Sequence, residues 1–371
     1  MTEGIQLMNF SRSTEIPDRF TTKSNRSFDR SKFSISSSPN SSPVSNLHSL
    51  AALWARKYVV SLTTRDEAEM LRQNKGLTEV SSREGRVNTA QKLSQNLSLS
   101  SAQAWSRTET LLSTEIRRHG INPDLINPWE IAADSHNLFQ ICLDAYGNRT
   151  TPRRLSVLVG GEIGRIRQKY TANDPRTLGF VSMQFHYTGT QLLEHLLPAE
   201  RALFSPYLKV MDDHLYMPLK AAYEAAANYD IGSMVLAAVQ QLLAASTRIA
   251  YAVCNQVCRL RPNYNSYSGS LSSLPVRVSS VRDVEMFQVY LCLCALETSI
   301  RSVQQELFPL CVLLYPRLGV SWELVQEMLR TMGWEMHEQL SPEHLAVFYP
   351  YLKALTEMFS LEVFQDTGEW A

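Results

Sequence analysis

Arg282 and Asp283 stand side by side near the start of an apolar run, SSVRDVEMFQVYLCLC, residues 279–294. Within it Val281, Val284, Phe287, Leu291 and Cys294 recur at spacings of three and four, the period of a buried helical face. Adjacent residues on a helix do not face each other. Two opposite charges so placed are met either by solvent or by a bound molecule that needs both a cation and an anion. The residues leave the two readings open.

Other residues with chemical potential are scattered. Cys254 and Cys258 are four apart, and Cys292 and Cys294 two apart, with Cys142 and Cys311 alone. A soft-metal site would use such thiols, but no Cys-x-x-Cys spacing occurs and each lies among Leu, Val and Ala. Small apolar core residues are the expected reading. His186, His195 and His214 are the densest group of the eight histidines. His214 beside Asp212 and Asp213 is either a general-base pair or an exposed helix face whose carboxylates suit the helix dipole; the second is expected. The stretch VGGEIGRIRQKY lacks both glycine-rich phosphate-loop orders. Its neighbourhood holds Arg153, Arg154, Arg165, Arg167 and Lys169. Such a run is a solvated face or a site for an acidic partner, the acidic half of the same chain included. No helix-turn-helix signal accompanies it, so nucleic acid is not an expected partner.

The totals narrow the classes. The chain has 371 residues, 44% of them hydrophobic, and no net formal charge. Residues 1–170 hold 23 Lys and Arg against 16 Asp and Glu, a net of +7, and residues 171–371 carry the balancing −7. No stretch approaches the ~20 apolar residues of a membrane span. No secretory leader is evident, and the cysteines do not read as a disulfide framework, so a reducing cytoplasm is expected.

The elements that must position these residues read as helices. Residues 1–45 are a Ser/Arg-rich segment expected to be disordered, and 46–98 a linker with short helices, one of them over 46–60. A helical N-terminal region follows over 99–190. There NPWEIAADSHNLFQICLDAYG has Asn127 as N-cap, Pro128 at the first turn and Gly147 at the end. TPRRLSVLVGGEIGRIRQKY reads equally as a strand or a helix. Residues 191–371 form consecutive helices of unequal length with short connections, a globin-type pattern.

Three co-linear pieces resemble the phycobiliprotein family. Ser-Ser-Val-Arg-Asp, 279–283, is similar to its Cys-x-Arg-Asp, LYPRLGVSWELVQEMLRTMG, 314–333, to its turn and penultimate helix, and AVFYPYLKALTEMF to its closing helix. The resemblance covers roughly residues 195–365. It implies an all-α fold with a globin-like, phycobiliprotein-type C-terminal domain. It also implies that Arg282 pairs with a bilin propionate and that Asp283 accepts from the pyrrole N–H groups. The attaching cysteine falls on Ser280, whose hydroxyl is a far weaker nucleophile than a thiolate. The usual aromatic three residues after the aspartate is Met286, and the usual arginine beyond it is Val289.

The resemblance therefore implies a non-catalytic accessory protein of the cyanobacterial phycobilisome or photosynthetic apparatus. It would bind phycobiliprotein subunits in assembly, attachment or turnover, without covalent bilin, in the cytoplasm or at the cytoplasmic face of the thylakoid. The alternative is a sensory or regulatory module that holds a bilin non-covalently through Arg282 and Asp283. No metal is expected.

Overall fold

The computed structural model describes residues 43–60 and 76–360. Most of the expected disordered segment 1–45, and residues 61–75 of the expected linker, lie outside the described residues. The rest is all-α, as expected, save one two-residue hairpin.

Among the described residues thirteen α-helices follow one another. They are α1 (Pro43–Val60), α2 (Gly76–Ser81), α3 (Arg83–Arg118), α4 (Pro128–Gly147), α5 (Pro152–Thr171), α6 (Thr177–Glu194) and α7 (Pro198–Tyr216). Then come α8 (Leu219–Ala226), α9 (Met234–Leu260), α10 (Leu274–Glu297), α11 (Phe308–Leu314), α12 (Trp322–Gln339) and α13 (Pro342–Met358). The hairpin β1 (Asn265–Ser266) and β2 (Gly269–Ser270) sits in the α9–α10 loop.

The helix starts follow side-chain capping. Asn127 accepts from the backbone N–H of Trp129 and Glu130, as its position before Pro128 predicts. Thr151 accepts from Arg154 N–H and starts α5, which settles the strand-or-helix ambiguity. Ser233, Ser321 and Ser341 cap α9, α12 and α13 in the same way. One start differs from expectation. Ser82 accepts from Gly85 N–H, so α3 begins at Arg83 and runs straight through the expected boundary at 98/99. Leu93, Leu97, Ala104 and Leu112 lie on its buried side and keep the helix continuous. Glu200 accepts from Leu197 N–H and starts α7 upstream of Pro206, which lies inside the helix.

The core lies where the long helices cross. α3 packs on α4 and α6, α5 on α7, and α9 on α10, α12 and α13. The expected boundary at 190/191 falls inside the last turn of α6, a helix that packs on α7. α6 and α10 are buried on nearly all sides, so both are central. α1 is the amphipathic helix expected near 46–60. It lays Leu50, Trp54 and Tyr58 against α5, α8 and α9. Each such side chain contributes about 1.5–3 kcal/mol of burial.

Candidate functional site

Arg282 and Asp283 do meet, contrary to the expectation from helix geometry. The arginine Nε and one Nη donate to Asp283 Oδ1 at 3.2 and 3.0 Å. The guanidinium lies 3.8 Å from the centre of the Tyr216 ring, a cation–π contact. Its other Nη stands 3.8 Å from Asp212 on α7. Burial pushes the Asp212 carboxyl up to about 6, with Asp213 adding to the rise and Arg282 opposing it. Burial also raises Asp283, again against the pull of Arg282. His186 on α6 is near enough to feel this cation. Burial first, then Arg282 and Arg107, lower it to about 4. The pair thus sits among residues from α6 and α7, and neither of the two sequence readings described it.

One turn deeper, α10 carries a second set of charges that spacing did not reveal. Glu285 Oε2 takes Lys57 of α1 at 2.7 Å and Lys209 of α7 at 3.3 Å. Asp213 takes the same two ammonium groups at 2.9 and 3.1 Å. Thr247 of α9 donates to Glu285 Oε1 at 2.7 Å, and Tyr58 to Asp213 Oδ2 at 3.0 Å. Trp54 Nε1 donates to Tyr58, while Lys57 lies 3.7 Å above the Trp54 ring. Two cations therefore face two anions in the core, and the carboxylates have other donors besides. Burial alone would raise Asp213, but Lys209 and Lys57 outweigh it and hold the carboxyl at about 2. The quartet ties α1, α7, α9 and α10 into one polar knot.

Asp213 and His214 are therefore not an exposed face; both are buried. His214 Nδ1 donates to Val210 O at 2.9 Å, which leaves Nε2 to accept from Ser156 Oγ at 3.2 Å. Burial lowers the ring to about 4. Gly160 makes room for it, since a Cβ there would stand 3.3 Å from His214 Cδ2. The α7 sequence did hold a signal: Tyr207, Val210 and Met211 stand seven, four and three residues before His214 and place it on the apolar side of the helix. The basic run divides as well. Arg167 is buried, donating to Leu215 O and Tyr290 and pairing with Glu306. Here the acidic half of the chain is the partner. Lys169 holds Glu130 and Asp134 at 2.7 and 2.6 Å.

Five of the six cysteines are buried and Cys258 is half-buried; all are free thiols. Among the described residues no three His, Cys, Asp or Glu side chains are grouped to hold a metal. Ser280, at the expected attachment position, lines a cavity of about 40 Å³ with Val253, Cys254, Cys258 and Leu271. That is room for roughly one water. Sites for extended organic ligands run about 300–1,000 Å³. Arg282 and Asp283 do not line this cavity and are bonded to each other. Among the described residues no helix is long and apolar enough to cross a membrane.

Residues 208–358 match the model of the phycobilisome protein family. The match opens inside α7 and closes on the last residue of α13, taking in Asp212, Asp213, Arg282, Asp283 and Glu285 and leaving out α1 to α6. No curated protein and no solved structure matches the chain. The expected resemblance covered roughly 195–365, and the matched segment falls within it. The C-terminal helices thus match the phycobilisome protein family and have its all-α, globin-like architecture, and the match points to the light-harvesting apparatus.

Proposed function

We propose that this chain is a non-catalytic accessory protein of the phycobilisome. It binds phycobiliprotein subunits through its C-terminal domain, in assembly, attachment or turnover, and works without covalent bilin. One observation supports the reading: within the matched segment Arg282 and Asp283 bond each other, with serine where the resemblance places the attaching cysteine. Where the resemblance places pigment contacts, these two side chains bond each other, while α1 to α6 lie outside the matched segment. Work in the cytoplasm or at the cytoplasmic face of a thylakoid accords with this role.

The test has two arms. The protein is co-expressed with a bilin-synthesis pathway, and its visible spectrum is recorded before and after denaturation. Separately, immobilised protein is offered purified phycobiliprotein subunits. A colourless protein that retains a subunit is the expected outcome. Pigment that survives denaturation overturns the reading. A band lost on denaturation supports the second reading, a regulatory module holding bilin non-covalently. That module requires the Arg282–Asp283 bond to open, and Asp283, about one-fifth exposed, is where opening would start.

A further inference from the structure

The structure leaves one part of the basic run on α5 without an internal role. Arg167 is buried against Glu306, Arg165 bonds Glu162, and Lys169 holds Glu130 and Asp134. Arg153 and Arg154 remain exposed at the start of α5, with Arg149 exposed in the preceding turn. Among the described residues no carboxylate lies within ion-pair distance of these three. Beside them, Val157 and Leu158 are 46% and 52% exposed. At about 100° per residue, Arg153, Val157, Gly161, Arg154 and Leu158 fall within an arc of about 140°. The opposite arc, Leu155, Val159, Ile163 and Ile166, is buried in the core. Nothing stands within 4 Å of a Cβ built at Gly161, so this glycine forms an open notch in the outer stripe.

We propose that this outer stripe of α5 docks an acidic amphipathic helix of a partner protein. Carboxylates of that helix would take the forks of Arg149, Arg153 and Arg154. Its apolar side would cover Val157 and Leu158 and seat at the Gly161 notch. Charge selects this occupant: three guanidinium groups with no carboxylate partner among the described residues flank one end of a short apolar strip. An anionic bilayer fits less well. Two apolar side chains fall short of the face an interfacial helix inserts, and Glu162 lies on the same helix. The stripe lies outside residues 208–358, so the inference stands whether or not the C-terminal domain binds phycobiliproteins.

The test uses the full chain and a labelled synthetic helix of about 18 residues, with leucine on one face and glutamate on both flanks. The same peptide with lysine for glutamate is the control. In about 50 mM salt the glutamate peptide is expected to bind and the lysine peptide not to, with binding weakened in about 300 mM salt. Arg153→Glu combined with Arg154→Glu, and separately Leu158→Glu, should each weaken binding about tenfold or more while leaving the helical circular dichroism unchanged. Arg330→Glu, an exposed arginine of α12, should leave binding unaltered. Undiminished peptide binding in both α5 variants would overturn the proposal. So would absent peptide binding together with retention on phosphatidylglycerol vesicles that the α5 variants lose, which would assign the stripe to a lipid surface. Self-association lost in the same variants, again without peptide binding, would assign it to a second copy and overturn it equally.

Discussion

Glu285 and Asp283 are two residues apart on α10 and live in different surroundings. The Glu285 side chain is wholly buried and has Lys57, Lys209 and Thr247 as donors. Asp283 is about one-fifth exposed and leans on its own neighbour, Arg282. The difference is one of origin. The partners of Glu285 come from α1, α7 and α9, so its network exists only once those helices have met. The partner of Asp283 is adjacent in sequence and is present in any conformation of α10. A carboxylate held by distant helices reports tertiary structure, whereas one held by its neighbour is free to change partners. The two sites therefore differ in what they cost to break.

The largest effect is expected at the quartet. Lys57→Met removes one of two cations and leaves Asp213 and Glu285 to share Lys209. Breaking one side of a buried charge network costs about 3–5 kcal/mol. Urea denaturation should show that loss at neutral pH. Adding Asp213→Asn restores the balance of one cation and one anion, and should recover part of the stability although it removes a further group. If the double variant is as unstable as the sum of the two singles, the groups do not act as one network.

A smaller effect, and one tied to pH, is expected at His214. Its ring titrates at about 4 in the fold and near 6.5 when unfolded. The unfolded chain therefore binds the extra proton first as the medium acidifies. Stability on this account is full above about pH 6.5 and is lost as pH falls towards 4, by up to about 3 kcal/mol. Asp212, raised to about 6, acts in the opposite sense over the same window, because the fold takes up its proton before the unfolded chain does. His214→Gln should flatten the acid limb of a stability profile, and Asp212→Asn should steepen it. Parallel profiles for the parent and His214→Gln would mean that this ring does not set the acid response.

Much of the scaffold was legible in the sequence, and the reasons are local. Asn127 before Pro128 is a start signal that needs no tertiary partner. The start of α3 was missed because its first turns are mostly polar, so the apolar spacing strengthens only after Leu93. The quartet was not legible. Lys57 and Glu285 are 228 residues apart, and nothing in the spacing of either points to the other. Asp213 and His214 misled because Asp-Asp-His reads as a solvated corner, although Tyr207, Val210 and Met211 set His214 on the buried side of α7. The pair Arg282 and Asp283 stood out for the right residues and the wrong reason. Helix geometry keeps Cβ atoms apart at i and i+1, but a long arginine stem lying on Tyr216 spans the gap.

The smallest effect is expected where the neighbour is the partner. Asp283→Asn removes a carboxylate that is partly open to water and bonded to one arginine. The loss should be about 1 kcal/mol, well below that of Lys57→Met. Its sharper consequence is electrostatic. Arg282 now stands 3.0 Å from Asp283 and 3.8 Å from Asp212. Without the Asp283 charge the guanidinium has Asp212 as its nearest anion, and the Asp212 carboxyl should titrate below its present value of about 6. Carbon-detected NMR of the Asp212 carboxyl through a pH series reads this directly. A lowered midpoint with little change in stability makes the two aspartates competitors for one arginine, a partner exchange that the quartet around Glu285 does not permit. An unmoved midpoint means that Arg282 is held by Tyr216 rather than by charge, and that this face of α10 is as fixed as the other.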